Sequence, residues 1–300
     1  MIYINLKGGL GNQMFEYAFA LSLAERTKDE ICIDLSGISN VTHNIYSLNH
    51  FKIGNVRKIN KVKFNKLQQK VYDINNAILY KVEQKFGSIG KYKMEKISQR
   101  LLNIFGIYMC CDGYIKTYKT FSKVKYAEGY FQSSKYFKNI DSKIRKVFQV
   151  KTPILKKNEK LLQRINKTNS VCVHIRRGDY TKFTNHLVCT IDYYKKGMNI
   201  IKEKYKDAQF FIFSDDIEWV KNNISFDYKV NYVEGNNPNY EELRLMYSCK
   251  HFVISNSSFS WWAQYLSKNN QKTVVAPSKW FNNPNQITDI FEDSWIKVDV

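Results

Sequence analysis

Proline is scarce. Four prolines in 300 residues leave no Pro-rich linker. No apolar run approaches the ~18 residues a membrane-spanning helix needs. None of the six cysteines, at positions 32, 110, 111, 172, 189 and 249, belongs to a C-x-x-C pair. Adjacent Cys110 and Cys111 are poorly placed to chelate one metal. Cys32 and Cys172 lie in apolar strand-like runs, where a free thiol behaves as a small hydrophobe. Reduced thiols and no zinc site are expected. No signal-peptide pattern precedes the first strand-like segment. A soluble, cytoplasmic protein is therefore expected, in which sequons such as Asn223-Ile224-Ser225 are chance matches. Acids are also short: 27 Asp and Glu stand against 47 Lys and Arg, a formal charge of +20. That balance implies an anionic partner, whether nucleic acid, a phosphate-bearing substrate or an acidic membrane surface.

Apolar residues make up 44% of the chain and aromatics 15%, which argues against disorder. The length suffices for a full core and for two domains, and Pro153 marks a plausible boundary. The positive charge is unevenly placed. It crowds residues 52–100, from Lys52, Arg57 and Lys58 to Lys93, Lys96 and Arg100. A solvated helical face accounts for most of these lysines. Peripheral contact with an anionic membrane is the sharper alternative. Leu67, Val71, Ile74 and Ile78 there have helical spacing.

The first half opens with a βαβ pattern. Ile2–Leu6 reads as a strand, Lys7-Gly8-Gly9-Leu10-Gly11-Asn12-Gln13 as a glycine-rich turn, Met14–Arg26 as a helix apolar almost all round, and Ile31–Leu35 as a second strand. A dinucleotide fingerprint would use Gly9, Gly11 and a ribose-binding acid at Asp34, but Met14 occupies its third glycine position. The favoured alternative has the glycines admitting a ligand to the backbone, with Asn12 and Gln13 donating from the helix start. Gly129-Tyr130-Phe131-Gln132 is either a carbohydrate platform or, the commoner role, an aromatic core patch.

The second half alternates regularly. Strands are predicted at Val171–Ile175, Phe210–Phe213, Lys229–Val233, His251–Ile254 and Thr273–Ala276, with helices between them. That order predicts a parallel, doubly wound sheet. Polar groups crowd the strand ends, where open α/β sheets bind ligands. His174, Arg176, Arg177 and Asp179 follow the first strand. Ser214, Asp215 and Asp216 follow the second. Ser255-Asn256-Ser257-Ser258-Phe259-Ser260 follows the fourth and opens a helix. Paired guanidinium forks suit phosphate oxygens, and a serine-rich helix start suits an anion. Together they fit a diphosphate. A carboxylate at Asp215 or Asp216 suits the N1–H and N2 amino donors of guanine, while one of the two is expected to cap the following helix. Trp261 and Trp262 read as packing residues.

Four motifs, Gly8–Phe15, Gly129–Gln132, His174–Tyr180 and Ser255–Trp262, resemble those of the bacterial α-1,2-fucosyltransferases. Residues 52–125 match that family weakly. The resemblance implies an α/β, GT-B-like fold with two Rossmann-like domains facing a central cleft. Residues 1–150 would form the acceptor-side domain and 151–300 the GDP-fucose-binding domain. It further implies transfer of L-fucose from GDP-fucose, with inversion and without a metal or other cofactor, to O2 of a terminal galactose on a glycan acceptor. His174 and one of Asp215 or Asp216 would contact guanine. Arg176, with Asn256, Ser257 and Ser258 at the helix start, would meet the diphosphate. Arg177 would assist or pair with Asp179, and Asn12 would bind fucose or the diphosphate. Asp179 is the nearest carboxylate in sequence to serve as general base; orienting an arginine is its equal alternative. Two other readings stay open: transfer from a different nucleotide sugar, and a basic nucleic-acid-binding protein, for which no signature is present.

Overall fold

The computed structural model describes residues 1–38 and 45–300, without the side chain of Asp179. The chain forms two compact units, Met1–Phe148 with Pro284–Phe291, and Gln149–Asn283 with Glu292–Val300. A single boundary at 150 therefore misses a short return: residues 284–291 pack with the first unit, where Asp289 accepts from the Tyr114 amide at 2.7 Å.

The first unit runs β1 (Ile2–Asn5), α1 (Leu10–Thr27), β2 (Ile31–Asp34), β3 (Arg57–Ile59), α2 (Lys66–Ile104), β4 (Ile107–Cys110), β5 (Lys125–Gly129) and α3 (Asp141–Val147). Its sheet has the order β3-β2-β1-β5-β4 and is parallel throughout. Helix α1 is buried along most of its length, as its all-round apolar sequence requires. Phe19 stacks on Phe131 with ring centroids 3.9 Å apart. Strands β3, β4 and β5 were not predicted, because they lie in or beside the lysine-rich stretch whose apolar alternation is short.

The second unit runs α4 (Glu159–Lys167), β6 (Ser170–Ile175), α5 (Ile191–Lys204), β7 (Gln209–Ser214), α6 (Ile217–Asn223), β8 (Val230–Tyr232), α7 (Asn239–Tyr247), β9 (His251–Val253), α8 (Ser258–Leu266), β10 (Val274–Pro277) and β11 (Ile296–Val298). The order is β11-β10-β9-β6-β7-β8, again parallel throughout. Val171, Val173 and Ile175 point to one side of β6 and pack with Tyr193, Met198 and Ile201 of α5. Cys172 and His174, on the other side, are buried as well, as expected of a central strand covered on both faces. No helix among the described residues is long and apolar enough to cross a membrane.

Candidate functional site

Strand order locates the site in each unit. In the second unit the chain goes from β6 outward through β7 and β8, then returns to lay β9 on the opposite side of β6. The crevice beyond the carboxyl ends of β6 and β9 is thus a topological switch point, the place where open α/β sheets take ligands. His174–Tyr180 leaves one of these strands and Ser255–Ser260 leaves the other, so two motifs 81 residues apart, by His174 and Ser255, meet there.

His174 joins the two lips. Its Nδ1 lies 3.1 Å from Ser255 Oγ and also meets Ser260 Oγ, and the two hydroxyls are 3.0 Å from each other. Burial, assisted by the positive Arg176, pushes its pKa down to about 3, so the ring is neutral. With Nδ1 engaged, any ligand contact falls to Nε2. Ser257 caps α8, its Oγ accepting from Phe259 N at 3.3 Å, and Ser258 begins the helix. The positive end of α8 therefore opens at the switch point.

Arg176 is held there by Asp215, which follows the neighbouring strand β7: Nη1 to Oδ2 is 2.9 Å, with both side chains largely buried. The other Asp215 oxygen accepts from Arg177 N at 2.9 Å. The Arg176 guanidinium also sits over the Tyr180 ring, 5.4 Å from its centroid. Tyr180 in turn donates to Asn256 O at 3.1 Å. Gly178 belongs to this clamp. A Cβ there would overlap Asp215 Oδ2.

Several expected ligand contacts are committed to protein partners instead. Asp215 is occupied by Arg176 and the Arg177 amide. Asp216 caps α6 through Trp219 N and accepts from Arg177 Nε at 3.3 Å. It is thus the capping member of the acid pair. Arg177 also lies over the Trp219 ring, 3.2 Å from its centroid, so its described partners are Asp216 and Trp219. The side chain of Asp179, their expected rival, is outside the described residues. Asn256 is a brace: its amide donates to His186 O and Trp280 O, both at 2.9 Å, and its oxygen accepts from Cys189 Sγ at 3.6 Å. A buried amide spent in this way holds the loop and has no donor left for a phosphate.

The first unit has its own switch point, between β1 and β5. The Lys7–Gly9 turn leaves β1 and leads into α1, which starts at Leu10, earlier than the Met14 expected from the sequence; Tyr130–Gln132 leaves β5. Gln132 Nε2 donates to Asn12 Oδ1 at 2.9 Å, joining these two motifs. Lys7 pairs with Glu128, which also accepts from Tyr72 at 2.7 Å and Tyr126 at 3.0 Å. Burial alone would raise Glu128; Lys7 and the two hydroxyls outweigh it and hold the carboxyl below its ordinary range. The neighbouring Tyr130 is exposed while Phe131 is core, so Phe131 takes the packing role and Tyr130 stays at the surface. Gln13 is buried and bonds Gly8 O, Ile45 O and Ser47 N; it shapes the glycine turn and does not donate outward. Asp34 accepts from Ser36 N and Val62 N, which removes the ribose acid of a dinucleotide fingerprint.

Residues 1–299 match the family described as Glycosyl transferase family 11. The chain belongs to that family. It is a glycosyltransferase. Two curated relatives from Escherichia coli are similar along their whole length. One is an alpha-1,2-colitosyltransferase, 30% identical over 100% of this chain and 99% of that protein. The other is the O-antigen biosynthesis glycosyltransferase WbnK, 31% identical over 99% and 100%. A galactoside 2-alpha-L-fucosyltransferase of Caenorhabditis elegans is 32% identical over 47% of this chain and 42% of its own length. Among solved structures, the fucosyltransferase NodZ from Bradyrhizobium matches at a TM-score of 0.50 with 13% identity, over 88% of this chain and 91% of that one. POFUT1 in complex with GDP matches at 0.50 with 11% identity, over 91% and 98%. This family 11 enzyme thus shares an α/β, GT-B-like fold of two Rossmann-like units with them.

One candidate for the site of this family 11 enzyme was not singled out from the sequence. Glu242 on α7 lies close enough to the Arg176–Asp215 pair to feel both charges. Burial first, then the negative Asp215, raises its pKa to about 7 against the opposing pull of Arg176. Its signal in the sequence is faint, because acids in the first turn of a helix commonly serve the helix dipole.

Proposed function

We propose that the enzyme transfers L-fucose from GDP-fucose to O2 of a terminal galactose on a glycan acceptor, with inversion at the anomeric carbon and without a divalent cation. The observation that carries this reading is Arg176, fixed by Asp215 at the switch point where α8 also presents its positive end. In the proposed step the acceptor oxygen bonds to C1 of fucose as the bond from C1 to the GDP oxygen breaks. The transition state is oxocarbenium-like. Negative charge grows on the departing diphosphate, and preorganised cations and helix-start donors stabilise that charge most. Arg176 and the Ser257–Ser258 helix start supply both, which is why no metal is invoked. Guanine is assigned to His174 Nε2 with a carboxylate beside it, from Asp215, Asp216 or the neighbouring Glu242. The acceptor is assigned to the first unit, at the Asn12–Gln132 and Lys7–Glu128 switch point. Peripheral association with an anionic membrane surface, on its cytoplasmic face, is part of this reading.

The alpha-1,2-colitosyltransferase relative favours a second donor. Colitose is fucose without its 3-hydroxyl, so both sugars offer C1 in the same setting. A site that hydrogen-bonds the 3-hydroxyl rejects the deoxy sugar by about 10⁴-fold, whereas a site that ignores it discriminates weakly. Steady-state transfer from GDP-fucose and GDP-colitose to the same galactoside, with linkage analysis of the product, decides between them. Calorimetric binding of GDP against UDP and ADP comes first. Equal affinity for all three would end the guanine assignment.

A further inference from the structure

Helix α2 turns its polar side inward. In its second half, after the break at Gly87 (φ 65°, ψ −167°), Glu95, Gln99 and Asn103 are buried while Ile97 is 72%, Leu101 57% and Ile104 49% exposed. At 100° per residue Ile97, Leu101 and Ile104 form one stripe, opposite Glu95, Gln99 and Leu102. A surface helix ordinarily buries its apolar stripe. Phe121, 93% exposed, extends this stripe: it follows Thr120, whose hydroxyl donates to Ile104 O at 3.3 Å. Lys93, Lys96 and Arg100 border the stripe along one side, all exposed. The nearby acids are neutralised or hidden. Glu83 is paired with Lys91 at 2.8 Å, and Glu95 is buried, its pKa raised to about 7 by that burial.

We propose that this face, Ile97, Leu101, Ile104 and Phe121 bordered along one side by Lys93, Lys96 and Arg100, docks the first unit onto an anionic lipid surface. The inference deepens the peripheral association proposed above and rests on that reading, but not on the choice of donor. Charge complementarity selects the occupant. Aliphatic tips gain from entering the acyl boundary, and cations at its rim gain from anionic headgroups. Nucleic acid rewards the cations and gives nothing to Ile97, Leu101 and Ile104. A second copy of the chain would set this cationic rim against its own image, in a protein of formal charge +20.

The test is co-sedimentation of the full chain with vesicles of phosphatidylcholine, with and without phosphatidylglycerol, across a salt series. Binding is expected only with phosphatidylglycerol and should weaken with salt. The Ile97→Ser, Leu101→Ser, Phe121→Ser triple variant is expected to bind about tenfold or more weakly. The Lys93→Gln, Lys96→Gln, Arg100→Gln variant is expected to lose the preference for phosphatidylglycerol. Both should keep GDP affinity and transfer to a soluble galactoside. Wild-type protein that ignores phosphatidylglycerol vesicles overturns the inference, as does undiminished binding by the triple variant. A dimer in sedimentation velocity that the triple variant disperses, without vesicle binding, makes the face a homotypic interface and overturns it too. Lost GDP selectivity with intact vesicle binding counts against the donor reading alone.

Discussion

Arg176 and Asp215 leave adjacent parallel strands and meet at 2.9 Å beyond their carboxyl ends. The carboxylate does not merely neutralise the guanidinium. By accepting from Arg177 N as well, it fixes the direction in which Arg176 presents its remaining donors, and a fixed donor is worth more to a developing charge than a mobile one.

Arg176→Ala is expected to cost about 3 kcal/mol or more in kcat/KM, the scale of losing one oxyanion-hole donor. Arg176→Lys should recover little, because a single ammonium cannot reproduce the fork. Steady-state kinetics on folded protein check this, and near-wild-type turnover by the alanine variant would remove Arg176 from the mechanism.

Asp215→Asn keeps the size of the clamp and removes its charge. A loss of about 1.5–3 kcal/mol in kcat/KM is expected, as for a hydrogen bond to a charged group. Gly178→Ala should give a similar loss by a different route, because its methyl displaces Asp215. Kinetics of the Gly178→Ala, Asp215→Asn double variant check the shared cause: two independent effects would add, and one shared effect will not.

Mild acidification should remove the stability that His174 contributes. His174 goes from 6.5 to about 3 on folding, so its contribution is complete above 6.5 and is lost as pH falls toward 3. In that window the unfolded chain binds one proton that the native chain does not, a slope of about 1.4 kcal/mol per pH unit. His251, lowered to about 4, adds in the same direction. Glu242 and Glu95 have the opposite sign and offset the histidines: each is raised from 4.5 to about 7, so their contribution is present below 4.5 and lost as pH rises through 7. Urea titrations at pH 7 and pH 5 should show wild type losing stability relative to His174→Gln. An unchanged difference between the two would mean the imidazole titrates in the native state.

Transfer activity is expected to persist after chelator treatment, since the leaving diphosphate is assigned to Arg176 and α8. A large loss that an added divalent cation restores would refute the proposed metal-free step.

Much of the second unit was legible because its strands are central. Val171–Ile175 and Phe210–Phe213 are apolar runs bounded by turn residues, and a strand buried on both faces has to be so. The crossover rule then placed their ends together. That one acid of the Asp215–Asp216 pair caps α6 was legible; which of the two it is, and what Asp215, Arg177 and Asn256 do there, was not. Residue type says what a side chain can bond, while its partner depends on which strand lies next to it. Asp216 pairs with Arg177 across 39 residues, a choice made by the β6–β7 register.

Helix α2 marks the division most clearly. From the sequence alone came helical spacing over residues 67–78, the charge around it and four motifs typical of one enzyme family. Which side of the helix is buried was decided by the tertiary structure. The apolar spacing of Leu67, Val71, Ile74 and Ile78 predicts an inward stripe, yet of these Val71 alone packs on the core, the other three are exposed, and Gln68, Asn75 and Leu79 are buried. Gln68 donates to Phe105 O and Val124 O. Asn103 donates to Ile107 O and accepts from Tyr118 N. Backbone groups at the ends of β4 and β5 need partners once removed from water, and leaving them unpaired costs more than exposing a few aliphatic side chains. Periodicity gives a helix two faces; only its neighbours decide which one turns inward.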